Sequence, residues 1–528
     1  MIELTEFINV TETKLFYPGA MYPPANEIPR LAKYKRGRII YRGRHAEIYD
    51  RASALLQDTP HADQLKTLFI AVNVMDVLCT KPADLLVGDR PTFDAGTGAG
   101  STQQTRLDSI VEENDLTQMI YEQAIGGAYR GDSFIKTYYG QRADLSEIEQ
   151  AGLTPPKVPL EPIIEPVDPS IVFPELSRGS KKAFKAINIA WIEHEISRTS
   201  RIFPVVPGVM QAEKSYLNVE RHLPGYVIYE RYRVDDAGVD TRWGAPISTY
   251  YIGERVPTGR EVDVVETGLP VMLVDHAPHK ATDDDWRGES TVEKLESVLS
   301  AINDRLVQID YILWKHSDPT AYGPEFDEAD TVRFGGRYIP LDKTDATPGY
   351  MTWDSQLEGA FKELDVLLGL VYQVAETPQW LFGTTLAADK GGTGTSHTDA
   401  GAIKARFMPI LSKVKRIRAH VDRAIRNALW KAQLLENAAN VGVDGFTAYE
   451  PAYPVINWRD GIPQDPKEAA EVAQIRTGNK PTQSVKDAIR ELDGISDAEA
   501  EAVLARIEAD EQRANGTVES SIFNGDAA

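Results

Sequence analysis

Apolar residues return at intervals of three and four along several stretches of the chain, and each such stretch predicts a helix. From Ala62 to Leu86 the repeat is carried by Leu65, Leu68, Phe69, Val72, Met75 and Leu78, with an end expected near Pro82 or shortly after. Ser290 stands as an N-cap before a longer run. In it Val292, Leu295, Leu299, Ile302, Leu306, Ile309 and Leu313 alternate spacings of three and four, the seam of helices packed along their length. About 25 residues at ~1.5 Å each make a rod close to 40 Å long. Ser355 to Glu376 repeats the seam with Leu357, Phe361, Leu364, Leu368, Val371 and Ala375, and ends at Thr377-Pro378 because the residue before a proline avoids the helical region. Thr398 to Leu435 carries Ile403, Phe407, Ile410, Val414, Ile417, Val421, Ala424 and Ala428 on one stripe, with Pro409 predicting a kink.

The remaining segments read differently. Residues 1–60 mix Pro, Tyr and Arg with little periodicity and read as an irregular arm. Leu107 to Tyr139 passes from helical spacing through a turn at Gly131-Asp132 into a strand at Phe134–Tyr139. Between Pro155 and Val274 short β-rich stretches alternate with Pro and Gly, which predicts a β-rich lobe. Residues 316–354 form a compact insertion with Gly-Pro turns and one strand around Arg337 to Leu341. Pro463 to Arg513 is Ala- and Glu-rich and helical, and the polar residues 514–528 are expected to be disordered. The fold class is therefore α+β.

Composition narrows the function classes. A chain of 528 residues exceeds one hydrophobic core, so several lobes are expected. No segment approaches the roughly 20 apolar residues of a membrane span. The N-terminus lacks the basic and apolar regions of a secretory signal, and the lone Cys79 in an apolar setting reads as an inert packed thiol. The net charge of −22 disfavours a protein that grips nucleic acid, and remains compatible with an acidic wall past which DNA slides.

Several motifs then stand in a fixed order. They are NVMDVLCTKPADLLVGDRPTF with a Gly-Asp-x-Pro turn, GAYRGDSFIKTYYG with a Gly-Asp-x-aromatic-aliphatic-Lys strand, and RGESTVE opening the Ser290 helix with Asn303-Asp304 in its middle. The loop GTTLAADKGGTGTSHTDAG and the segment NWRDGIPQDP follow. In this order the chain resembles the portal proteins of tailed bacteriophages, of the siphophage type divided into wing, stem, clip and crown.

The resemblance implies the portal fold and a dodecameric ring at one capsid vertex, in the virion and, during assembly, in the host cytoplasm. Double-stranded DNA is packaged and ejected through such a ring. It implies an arm at 1–60, a wing at 61–289, stem helices at 290–315 and 355–376, and a clip at 316–354. A tunnel-loop region at 377–397, a long kinked helix with wing return at 398–459 and a crown at 460–513 complete it. The tunnel loop facing DNA is Thr385, Leu386, Asp389, Lys390, Gly391, Gly392, Thr393, Gly394, Thr395, Ser396 and His397. A clip surface for the terminase large subunit and a head-completion adaptor would include Tyr322, Glu325, Phe326, Asp327, Arg333 and Arg337. Major capsid and scaffolding proteins are further implied partners. No membrane, cofactor, metal or catalytic residue is implied.

The residues themselves argue in the same direction for the loop. ADKGGTGTSH offers small, flexible, hydrogen-bonding groups without the aromatics or arginines that grip bases. It is not a phosphate loop, because G-x-x-x-x-G-K-[ST] is absent and Lys390 precedes the glycines. His194-Glu195 lacks the second histidine of a zinc protease, Arg198 standing in its place, and His276, His279, His316 and His397 show no ligand spacing. Asp283 to Asp285 reads as a solvated turn rather than a cation site. From Ile403 to Lys431 the charge inverts to basic, with Lys404, Arg406, Lys413, Arg416 and Arg423 among the cations. That helix either faces DNA or pairs with acidic surfaces of neighbouring subunits, and an acidic ring favours the second.

Overall fold

The computed structural model describes residues 14–44, 72–98, 100–145, 148, 151–196, 213–316, 320–324, 338–341, 349–351, 357–382, 400–459, 461, 466–478, 480–495 and 497–523. In chain order these hold β1 (Met21–Tyr22), α1 (Ile28–Tyr41), α2 (Val74–Val87), β2 (Thr92–Asp94), α3 (Thr102–Glu113), α4 (Leu116–Arg130), β3 (Asp132–Gly140), β4 (Glu161–Val167) and β5 (Val172–Leu176). There follow β6 (Phe184–Ile196), β7 (Glu213–Leu223), β8 (Tyr226–Asp240), β9 (Ile247–Val256), β10 (Val264–Glu266), β11 (Val274–Pro278) and α5 (Thr291–His316). The chain continues through β12 (Thr320–Pro324), β13 (Tyr338–Leu341), β14 (Gly349–Met351), α6 (Leu357–Val374), α7 (Ala400–Ala439) and β15 (Val455–Asn457). It closes with α8 (Pro466–Thr477), α9 (Val485–Asp493) and α10 (Asp497–Phe523). The fold is mixed α and β.

Two compact units result: one from Met1–Lys35, Cys79–Ser290 and Gly391–Ala528, the other from Arg36–Leu78 and Thr291–Lys390. The first contains the β-rich lobe expected between Pro155 and Val274. A seven-stranded antiparallel sheet runs β1-β9-β8-β7-β6-β5, with β10 beside the start of β8. Alternation puts Ala190, Leu217, Val219, Tyr232, Val234 and Ile252 on one face, where they pack with Phe16, Tyr22, Phe173 and Leu31 and Tyr34 of α1. Phe16 and Tyr22 meet Phe173 edge-on at 5.5 and 5.6 Å, a favoured aromatic geometry. A second sheet, β11-β3-β4, has Phe134 and Val274 in a core shared with Val172, Ile187, Ile189 and Trp286. Helix α7 packs across this second sheet. Its Ile410, Val414, Ile417, Val421, Ala424 and Ala428 are buried, as their spacing predicts. The helix passes through Pro409 as one 40-residue element.

Local chemistry explains the element ends. Ser101 caps α3 by accepting from the Gln104 amide. Asn114 ends it and is buried, its side chain donating to the Ile110 and Pro162 carbonyls and accepting from the Ile164 amide. Helix α4 stops at Gly131, whose φ of +100° is open to glycine and strained for other residues. β3 then follows directly, as the turn at Gly131-Asp132 predicts.

The second unit contains α5 and α6 packed together, with a small sheet in the chain between them. There β12 pairs parallel with β13 and antiparallel with β14, and β13 occupies the position of the expected strand. On α5 Val292, Leu295, Leu299, Ile302 and Ile309 are buried, and Arg305 reaches Glu363 of α6.

Three expectations are corrected. Within the expected arm, Ile28–Tyr41 is helical, because Ile28, Leu31, Ala32, Tyr34 and Ile40 are buried despite the intervening cations. Helix α2 ends at Val87, shortly after Pro82 as expected, and the turn past the proline is sustained by burial of Ala83 and Leu86. Residues 514–523 of the expected disordered tail extend α10. Of the two seams, Leu313 and Phe361 are about half exposed instead of packed.

Candidate functional site

Two of the motifs quoted above, RGDSF and RGES, meet in space within the first unit. Gly288 presses so closely on Gly131 that a Cβ at either position would strike the other's carbonyl oxygen. Asp132, 1% exposed, accepts from the Gly288 amide at 2.8 Å, from Tyr34 Oη, and from His276 Nε2 at 2.7 Å. The His279 amide donates to the Gly131 carbonyl at 2.8 Å. Burial alone raises a carboxyl pKa, yet the bonds from His276, Tyr34 and Gly288 win and hold Asp132 below the ordinary range. The junction thus ties α1, β3, β11 and the chain just before α5 to one anion.

Arg30 supports it from α1. Its guanidinium, 2% exposed, donates to the Pro169 and Val172 carbonyls and to Glu27, and lies 5.1 to 5.6 Å from the rings of Tyr34, Phe173 and Trp286. Neither Arg30 nor Tyr34 is singled out by sequence. Their only signal is the spacing Ile28, Leu31, Ala32 around them.

The basic helix resolves into separate roles. Lys413, expected at a subunit interface, is buried within the chain, near the equally buried His279. Lys431 is also internal, bonded to Asp275 at 2.7 Å with both side chains at or below 10% exposure. Burial raises the Asp275 carboxyl above its ordinary range, and Lys431 opposes that without cancelling it. Arg418 donates to the Arg459 carbonyl and Arg426 to that of Pro454, with Arg426 stacked over Tyr453. Arg416 and Arg423 are exposed, and the side chains of Lys404 and Arg406 lie outside the described residues.

His279 supplies a pH prediction. Burial first, then the charges of Lys413, His420 and Arg416, depress its pKa to about 3. A histidine with a lowered folded pKa contributes stability that is present above its unfolded value near 6.5 and lost as pH falls toward 3. Between pH 6.5 and 5 the loss is expected to be about 2 kcal/mol at ~1.4 kcal/mol per pH unit. Urea titration of the chain and of His279→Gln at both pH values checks this; equal slopes for the two would contradict it.

The other expected sites are placed as follows. Tyr322 is half-buried on β12, while Glu325, Phe326, Asp327, Arg333 and Arg337 lie outside the described residues, as do Thr385 to His397. Cys79 is buried on α2. His194 bonds Ser215 across β6 and β7 at 2.9 Å. In the acidic turn Asp285 pairs with Arg287 at 2.7 Å. Among the described residues no group of three His, Cys, Asp or Glu side chains has metal-binding geometry, and no helix is long and apolar enough to cross a membrane.

No family model matches the chain, and no curated protein does either.

Proposed function

We propose that this chain is a subunit of a ring-shaped DNA conduit of the tailed-phage portal type. Twelve copies would surround a channel at one capsid vertex of the virion. Through it double-stranded DNA is packaged and ejected, with terminase and head-completion proteins docking on the clip. The observation that carries the reading is the second unit: two long helices pack together and hold a small mixed sheet in the chain between them. This is the order of parts that the motif resemblance implies for stem and clip. The β-rich first unit, in the place of the wing, supports it, as does the meeting of the RGDSF and RGES motifs at Asp132.

The surface of α6 supports an assembled state. Val366, Leu370 and Val374 are 58%, 41% and 43% exposed and fall on one side of the helix, while Val371 is buried on the other. A helix apolar on two sides is suited to burial on both. In the ring reading a neighbouring copy covers this ridge.

The test is the mass of the purified chain by light scattering. The chain is expected to run at many times 58.5 kDa, and Leu370→Asp is expected to reduce it to the monomer while its far-UV circular dichroism stays that of the folded chain, because a buried unpaired carboxylate costs several kcal/mol at an interface and little on an exposed surface. A parent chain that is monomeric at every salt concentration would overturn the proposal.

A further inference from the structure

The first unit contains a cleft of about 620 Å³ that the conduit reading does not use. Its walls come from Lys182 and Phe184 at the start of β6, Pro270 to Met272 before β11, His276 and Trp286, and α7 from His420 to Lys431. The volume falls within the range of small-molecule sites. We propose that this cleft binds a nucleotide, its phosphate held by Lys182, His420 and Arg423 and its base by Phe184 and Trp430.

The charge inventory argues for the phosphate. Two acids line the cleft and both are already engaged: Asp275 with Lys431 and Asn427, Asp285 with Arg287. Lys182, His420 and Arg423 remain: among the described residues their side chains make no hydrogen bond or ion pair, although Arg423 adds its charge to that of Lys431 on Asp275 and Lys182 acts on the nearby Asp284. Lys182 and Arg423 are exposed at the mouth and His420 is half-buried. They also act on one another: burial, then His276, Lys182 and Arg423, hold the His420 pKa below the ordinary histidine range. A guanidinium, an ammonium and an imidazole around one space match the oxygens of a phosphate, whose negative charge offsets the repulsion between the two cations.

The apolar walls argue for an attached planar group. Phe184 and Trp430 are half-buried ring systems, one braced edge-on by Trp286 at 5.6 Å and the other by Tyr453 at 6.5 Å. Braced rings lose little entropy when a base stacks on them, and every base has a face to stack. Met272 and Pro270 complete an apolar lining that a bare inorganic anion would leave unused.

The experiment is titration of the full chain with deoxyadenosine 5′-monophosphate, followed by calorimetry and tryptophan fluorescence. One site per chain with quenched fluorescence is expected, and inorganic phosphate and deoxyadenosine should each bind about tenfold or more weakly. Arg423→Ala and Lys182→Ala should each weaken the nucleotide about tenfold, since a charge-assisted bond of this kind is worth that much. Neither should shift the thermal melt, because both side chains are exposed. A short single-stranded oligonucleotide that binds with the same sensitivity to both variants would identify a strand as the source of the nucleotide. No heat and no quenching at millimolar nucleotide, unaltered binding by both variants, or phosphate binding as tightly as the nucleotide would each overturn the proposal. None of these outcomes depends on whether the chain forms rings.

Discussion

Replacing Asp132 by alanine is expected to lower the stability of the first unit by about 3–5 kcal/mol, the loss typical when one partner of a buried charged network is removed. The carboxylate is the common acceptor for Tyr34 from α1, His276 from β11 and the Gly288 amide. All three donors are left in a site too enclosed for bulk water to replace the lost oxygens. Asp132→Asn keeps the shape and one acceptor, so about half that loss is expected. Because the carboxyl is held below its ordinary range, its contribution is present above pH ~4 and fades as pH falls through the lowered folded value. Urea titration at pH 7 checks the magnitude. A loss under about 1 kcal/mol for the alanine variant would mean that the junction does not hold these elements together.

If the chain is the proposed conduit subunit, deleting Asp389 to Ser396 is expected to leave assembly unchanged and to abolish retention of DNA in heads. The segment lies outside the described residues and belongs to neither seam. Of the 17 residues between Phe382 and Ala400, nine remain after the deletion and extend to roughly 30 Å. What is removed is the run of Gly391, Gly392 and Gly394 with its hydroxyls and Lys390, the groups suited to light contact with a moving polyanion. Nuclease-protected DNA in heads built with the variant measures the effect. Protected DNA at the parental level would remove the loop from the channel, and failure to assemble would make it a structural element.

Much of the architecture can be read from residue spacing, and particular residues show where that reading stops. The seam from Val292 to Ile309, with Leu306 half-buried, and the stripe from Ile410 to Ala428 are covered as their periods predict, since a regular 3–4 repeat has one stable way to be covered. The Gly131-Asp132 turn before β3 was equally legible, glycine being the residue that tolerates φ of +100° there. Helix α1 was not, because Arg30, Lys33, Lys35, Arg36 and Arg38 mask its apolar positions, and one of those cations, Arg30, is itself buried against carbonyls and rings that come from elsewhere in the chain. Asp132 and His276 are separated by 144 residues. No local pattern marks such a pair, and only the antiparallel register of β3 and β11, with His276 opposite Phe134, brings it together. Lys413 shows the converse: a cation on a basic helix reads as surface, whereas its place on the stripe toward the second sheet buries it beside His279.

The proposal that this chain builds a conduit is tested most directly by negative-stain electron microscopy of the purified protein. The account predicts ring particles, end-on views with an axial hole wide enough for the DNA duplex, and side views in which a narrower stalk projects from a broad body. Fields of single compact particles near 58.5 kDa, with no rings at any protein or salt concentration, would contradict it.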